Sequence, residues 1–235
     1  MIEINEKNTD VKTLLLTQWI MECILPSMWK GLKIGGLDVG VVFLSTDHHF
    51  SPLHLYALLE KRVKRTLRQS QHLFETTLIA GSKTSIIKEI TKESLKRLTI
   101  YESFNKTELL FNFCSAKTYI LSHPQYSVVM IDSLSAFYWE DKLSSTSSFQ
   151  SLNKYVQSLL TSLIERLRQT NITIIYTVQQ FLRETHVDKE TETPMYVYSV
   201  SLESGPENVV HIEDRRNAKK FSKVIKISNT ELLVQ

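Results

Sequence analysis

Tyr126-Ser-Val-Val-Met-Ile-Asp132-Ser133 is the stretch of this chain best suited to chemistry, a short apolar run that ends in a carboxylate and then a hydroxyl. Such a run predicts a fully buried parallel strand with Asp132 at its C-terminal edge. Ligands of open α/β sheets collect at that edge. In nucleotide-binding proteins a carboxylate there holds the Mg²⁺ that accompanies the phosphates. The same residues also suit a buried strand that stops at a polar turn, and on this stretch alone the two readings stand level. Gly40-Val-Val-Phe-Leu-Ser-Thr46 repeats the pattern, again ending beside a carboxylate, Asp47.

The elements that must position these groups read as alternating helices and strands. Asp10 to Pro26 has apolar residues at helical spacing, with Asp10 as a possible N-cap and Pro26 as the stop. Pro52 to about Arg68 predicts a helix with an apolar stripe and a basic face, and residues 69 to 97 read as helical with mixed charge. Leu98 to Phe104 predicts a strand, Lys106 to Leu121 a helix ending before Pro124, and 140 to 148 a loop rich in Ser and Thr. Ser151 to Gln169 predicts a long amphipathic helix and Ile172 to Val178 another buried strand. From Met195 onward, three segments alternate like half-exposed antiparallel strands. The expected fold class is therefore α/β, with a mostly parallel central sheet and an antiparallel C-terminal extension over about 195–235, all in one domain spanning 1–235.

Composition narrows the function classes. The 235 residues are 42% hydrophobic and 23% charged, ordinary for a globular protein. No apolar stretch reaches the ~18 residues of a membrane span, and the N-terminus lacks the features of a signal peptide. Cys23 and Cys114 lie in helix-like segments and read as reduced packing residues, with no ligand spacing for zinc. A net charge of +3 permits nucleic-acid contact without requiring it. None of the six glycines precedes residue 31, although a phosphate-cradling loop relies on glycine for close backbone approach.

Lys12-Thr13 at a helix start, Thr46-Asp47 and Asp132-Ser133 after strands, and Thr177-Val-Gln179 at a polar strand end fall in the order of the RecA-type recombinase core. Thr46-Asp-His-His-Phe-Ser-Pro52 is similar to the Thr-Glu-Gly-Thr-Phe-Arg-Pro segment of eukaryotic recombinases, and Thr177-Val-Gln179 to their Thr-Asn-Gln. Cys23-Ile-Leu-Pro26 followed by Gly35-Gly-Leu-Asp-Val, together with Ile131-Asp-Ser-Leu-Ser-Ala-Phe-Tyr-Trp139, resembles the paralog branch of that family. The resemblance runs from about residue 3 to 180. It implies a RecA-like core without the N-terminal helical domain of its relatives. It further implies a nuclear role in homologous recombination repair of DNA double-strand breaks within a heteromeric paralog complex. The implied partners are other recombinase paralogs, notably the fourth Rad paralog, with single-stranded or branched DNA reached through the complex.

The resemblance also assigns roles. Lys12, Thr13, Asp132 and Gln179 become candidates for binding ATP, Thr13 and Asp132 for its Mg²⁺, and Asp47 for positioning water in hydrolysis. The family's Gly-x-x-x-x-Gly-Lys-Thr loop aligns with Glu6-Lys-Asn-Thr-Asp-Val-Lys12-Thr13, so Glu6 and Val11 stand at the glycine positions. A β-branched Val11 resists an anion nest, and Glu6 and Asp10 repel phosphate. ATP and Mg²⁺ are therefore expected to bind weakly or not at all, and catalysis to be weak or absent. Tyr138 and Trp139 could stack on DNA bases, although aromatics that follow a buried strand more often belong to the core or an interface. The run from Arg215 and Arg216 to Lys223 could contact DNA, a neighbouring subunit's nucleotide or the import machinery, while Lys61 to Arg68 reads as a solvated face. Two other readings remain open, an active DNA-stimulated ATPase of the RecA family and a RecA-like scaffold of an Elongator-type complex.

Overall fold

The computed structural model describes residues 1–6, 9–69, 83–144, 151–168, 170–179, 198–203, 208–214, 217–227 and 232–234. In chain order the elements are β1 (Ile2–Glu6), α1 (Thr9–Ile24), the short strands β2 (Met28–Trp29) and β3 (Leu32–Lys33), β4 (Gly40–Ser45), α2 (Pro52–Gln69), α3 (Lys83–Leu95) and β5 (Leu98–Glu102). There follow α4 (Lys106–Ser122), β6 (Tyr126–Asp132), α5 (Tyr138–Ser144), α6 (Leu152–Leu167) and β7 (Thr173–Gln179). The chain closes with β8 (Tyr198–Glu203), β9 (Asn208–Asp214), β10 (Lys219–Ile227) and β11 (Leu232–Val234). Apart from the β2–β3 pair, these strands form one sheet in the order β11-β10-β9-β8-β1-β7-β6-β4-β5.

The apolar runs that predicted β4, β6 and β7 are continuous because helices cover both sheet faces. Val41, Phe43, Val128, Met130 and Ile175 point into one core with α1, α2 and α3. Their neighbours Val42, Leu44, Val129, Ile131 and Ile174 point into a second core with α4 and α6. The period of two along each strand thus divides one apolar run between two cores. Within the strap that joins α1 to β4, Gly36 donates its N–H to the Pro26 carbonyl at 3.1 Å. A Cβ at Gly36 would stand 2.1 Å from the Leu25 carbonyl oxygen, so only glycine lets the strap close over the end of α1.

The structure both adds to and corrects the sequence reading. Residues 2–6 form a central strand, β1, between β7 and β8, although the segment carries two glutamates. Glu3 is buried because the Tyr176 hydroxyl donates to one carboxylate oxygen at 2.9 Å and the Asn5 amide to the other at 2.7 Å. The C-terminal strands β8, β9, β10 and β11 pair antiparallel with one another as expected, and β8 joins the central sheet parallel to β1. Alternation reports that one face of a strand is wetter than the other, and says nothing of its direction. Residues 138–144 are helical where a loop was expected from 140. Burial of Tyr138 and a 2.7 Å ion pair between Lys106 and Asp141 fix that turn against α4. Asp10 lies inside α1, which starts at Thr9, and so is not its N-cap.

Cys23 packs in the first core, and burial, reinforced by the neighbouring Glu22 charge, pushes its thiol up to about 11. Cys114 is exposed. Thiolate is the reactive species, so at pH 8 a thiol reagent should label one equivalent quickly, at Cys114, and the second only after unfolding. Fast labelling of both sites in the folded chain, read by mass spectrometry, would contradict this packing.

Candidate functional site

The carboxyl edge of β4, β6 and β7 brings together residues far apart in sequence. Ser45 of β4 sits beside Asp132 of β6, so the polar ends of both strands stop at the same level. The Thr46 and Asp47 N–H groups both donate to the Asp132 carbonyl, at 2.8 and 3.3 Å. From β7, the Thr177 hydroxyl donates to Asp132 Oδ1 at 2.6 Å. From α1, Lys12 places its ammonium 2.7 Å from Asp132 Oδ1 and 2.7 Å from Asp47 Oδ2. The lysine is 2% exposed and Asp132 fully buried, which makes this a buried ion triad of one cation and two anions.

The residues after Asp132 are stitched across the same edge. Ser133 donates its N–H to the Thr46 hydroxyl, which in turn donates to the Ser133 carbonyl at 2.8 Å. Leu134 N–H reaches the Thr177 carbonyl at 3.0 Å, and Gln179 N–H reaches Ser135 Oγ at 3.0 Å. The Ser133 and Ser135 hydroxyls lie 2.7 Å apart. The Asp132–Ser133 peptide is cis. Asp132 therefore sits in a frame of hydrogen bonds from both flanking strands.

Electrostatics follow from the count of charges. Burial alone would lower the Lys12 pKa, but the charges of Asp132 and Asp47 and their hydrogen bonds outweigh it, so the ammonium is held charged above its usual range. Burial raises the Asp132 carboxyl, and the Asp47 charge adds to that; Lys12 and the Thr177 hydroxyl offset only part. The cluster is net negative when all three groups are ionised, and in a low-dielectric setting it repels a further anion.

A divalent cation and a triphosphate fare differently here. Thr13 Oγ1 and Asp132 Oδ2 are buried without a hydrogen-bond partner, and a hydroxyl with a carboxylate is the donor set that suits Mg²⁺. The stretch before Lys12 does not suit phosphate. Glu6 ends β1, and α1 has already begun at Thr9, three residues before Lys12. Val11 is therefore helical and packs in the first core at 7% exposure. The backbone that would cradle phosphate is committed to α1, and the lysine that would follow it is clasped by two carboxylates.

The expected site residues separate into two groups. Lys12, Asp47 and Asp132 meet directly, and Thr13 follows Lys12 on α1 with its hydroxyl unpartnered. Gln179 reaches the edge through its backbone. Asp47 acts as a turn cap and not as a base. One carboxylate oxygen accepts from the His49 N–H at 3.4 Å as a turn cap, and the other faces Lys12 at 2.7 Å, leaving it poorly placed as a base. Tyr138 does not offer a ring to DNA: it is 3% exposed and meets Tyr155 edge-on at 5.5 Å. Trp139 is 46% exposed, with the Lys142 ammonium 4.5 Å over its ring. Arg215 and Arg216 lie outside the described residues.

The sequence reading singled out Thr46, Ser133 and Thr177 without giving them a role, and missed Ser135. Their signal was present, because a hydroxyl beside a strand-end carboxylate is placed to hydrogen-bond it. His49, whose Nδ1 lies 3.6 Å from Asp47 Oδ2, gave no such signal.

No family model matches the chain. It is 30% identical over 182 residues to the "DNA repair protein XRCC2 homolog" of Arabidopsis thaliana, covering 72% of this chain and 49% of that protein. It is 27% identical over 177 residues to the "DNA repair protein XRCC2" of Mus musculus, covering 75% and 54%. The chain thus spans about half the length of the curated relatives it matches.

Proposed function

We propose, for a chain homologous to the XRCC2 proteins among the RecA-type recombinase paralogs, a supporting rather than a catalytic part in DNA repair. In this reading the chain is a subunit of a heteromeric paralog complex in the nucleus that promotes homologous recombination at double-strand breaks. It contributes surfaces and leaves ATP turnover to its partners, the fourth Rad paralog being the expected neighbour. DNA is engaged by the assembly.

One observation carries the non-catalytic half of this reading: Lys12 is enclosed by Asp47 and Asp132 at 2.7 Å each. A lysine so placed gives its charge to the protein's own carboxylates. An RecA-type ATPase needs that charge on the phosphates, supported by loop amides, and here α1 has absorbed the loop. Where a partner supplies phosphate-binding groups, Thr13 and Asp132 are the residues that would hold Mg²⁺. Held there, the ion would supply positive charge to offset the negative charge of phosphate.

Affinity purification of the tagged chain from its own cells, followed by mass spectrometry, tests the reading. Recovery of recombinase paralogs is the expected result. Recovery of Elongator subunits, or of no RecA-like protein, would overturn it.

A further inference from the structure

The charge of this chain is unevenly distributed. Residues 52–69 and 83–97, which hold α2 and α3, contain ten Lys or Arg and three Glu, an excess of seven positive charges. The rest of the chain contains eighteen basic and twenty-two acidic residues, a deficit of four. Two helices therefore carry more than the whole net charge of +3.

Packing turns that excess outward. Leu59, Val63 and Leu67 of α2, and Ile86, Ile87 and Ile90 of α3, face the core. Lys61, Lys64, Arg65 and Arg68 are exposed on α2, and Lys83, Lys88 and Lys92 on α3. Spacings of three and four residues among the α2 cations, and of four between Lys88 and Lys92, set charges in rows with steps of about 5–6 Å. α2 and α3 pack against each other, which sets the rows side by side. Each glutamate is already engaged: Glu60 with Lys64 at 3.0 Å, Glu93 with Lys96 at 2.6 Å, and Glu89 with Lys30 at 2.9 Å. Arg62 and Arg97 pair with Glu22 and Asp38 outside the two helices, which leaves the centre of the surface positive.

We propose that the outer surface of α2 and α3, centred on Arg68, Lys88 and Lys92, binds the phosphate backbone of duplex nucleic acid without reading its sequence. A face that served only solubility would mix both signs. Cations in rows on a helical surface suit an extended polyanion, and each phosphate contact releases counterions. Single strands are held largely by stacking on exposed aromatics; among the described residues the exposed aromatic on these helices is Tyr56, tied through its hydroxyl to Glu60 at 3.1 Å and about three turns before Arg68, so the geometry favours a duplex. Choosing nucleic acid over other polyanions rests on the repair reading above; the surface itself involves other elements than the Lys12 site.

Fluorescence anisotropy of a labelled 30-base-pair duplex with the full chain, between 50 and 200 mM salt, tests this. The variant R68Q/K88Q/K92Q should bind the duplex at least about tenfold more weakly at the lowest salt. Its slope of log affinity against log salt should be shallower by roughly three, about one per cation removed. K117Q/K154Q serves as the control and should leave the slope unchanged, and matching thermal melts establish that both variants are folded. An unchanged slope in the triple variant would overturn the proposal, as would preference of the wild-type chain for a polyglutamate peptide over the duplex. A triple variant that still recovers recombinase paralogs from cells but binds duplex normally would remove this inference alone.

Discussion

Replacing Lys12 with alanine should lower the free energy of unfolding by about 3–5 kcal/mol at neutral pH, the usual cost of stripping one partner from a buried ion pair. The ammonium is 2% exposed and stands 2.7 Å from each of two carboxylates, so its removal leaves two negative charges facing each other away from water. The size of the loss should depend on pH. Burial and the Asp47 charge already hold the Asp132 carboxyl above its ordinary value. Without Lys12 it rises further, and acid then discharges it, so the variant should regain ground between pH 8 and pH 5. The wild-type chain has the opposite limit. The Lys12 pKa is raised in the folded state, so its stabilisation is complete below the unfolded lysine value, ~10.4, and is lost as pH climbs through the folded value. Urea midpoints by circular dichroism at pH 5, 7.5 and 8 measure the first effect, and a series rising from pH 8 through ~10.4 and beyond measures the second. A loss under about 1 kcal/mol at pH 7.5, typical of a solvent-screened pair, would refute the buried triad. The double variant K12M/D132N should lose less than the sum of the two single changes, because it removes the charges together.

Substituting glycine at Val11 restores the family's loop residue on paper, and the expected result is damage without gain. Val11 is the third residue of α1 and packs in the first core at 7% exposure. Losing its side chain costs about 1.5–3 kcal/mol of burial, and glycine near a helix start adds up to about 1 kcal/mol. ATP affinity should not increase, because one glycine does not unwind a helix that begins at Thr9 and runs sixteen residues. Isothermal titration with Mg-ATP, beside a thermal melt, reads both quantities. Micromolar ATP binding by V11G at undiminished stability would mean that residues 9–11 leave the helix readily, contrary to the packing of Val11.

The parts of the fold legible in the sequence are those where burial alone decides. Runs such as Val128 to Ile131 admit only a strand covered on both faces, and the stripe from Leu152 to Leu167 admits only an amphipathic helix. The strand-end carboxylates Asp47 and Asp132 were legible for the same reason, because the runs before them end there. What stayed hidden depends on partners distant in sequence. β1 reads as a polar segment until Tyr176 and Asn5 satisfy Glu3. α5 reads as a loop until Lys106 reaches Asp141. Lys12, Asp47 and Asp132 were each singled out, yet nothing in their local sequence says that the lysine turns to both carboxylates.

The place of β1 has a consequence for synthesis. Residues 2–6 leave the ribosome well before their strand partners, residues 175–179 and 198–202. At ~5–20 residues per second, those five residues wait on the order of ten seconds or longer for both neighbours to emerge. Until then β4, β6 and the helices between them can form a partial sheet from local segments, while α1 carries Lys12 with no carboxylate pair in place. The slot between β7 and β8 closes last. It is therefore the point at which a slowed or damaged chain presents unpaired strand edges to chaperones, to proteases or to the first strand of another copy.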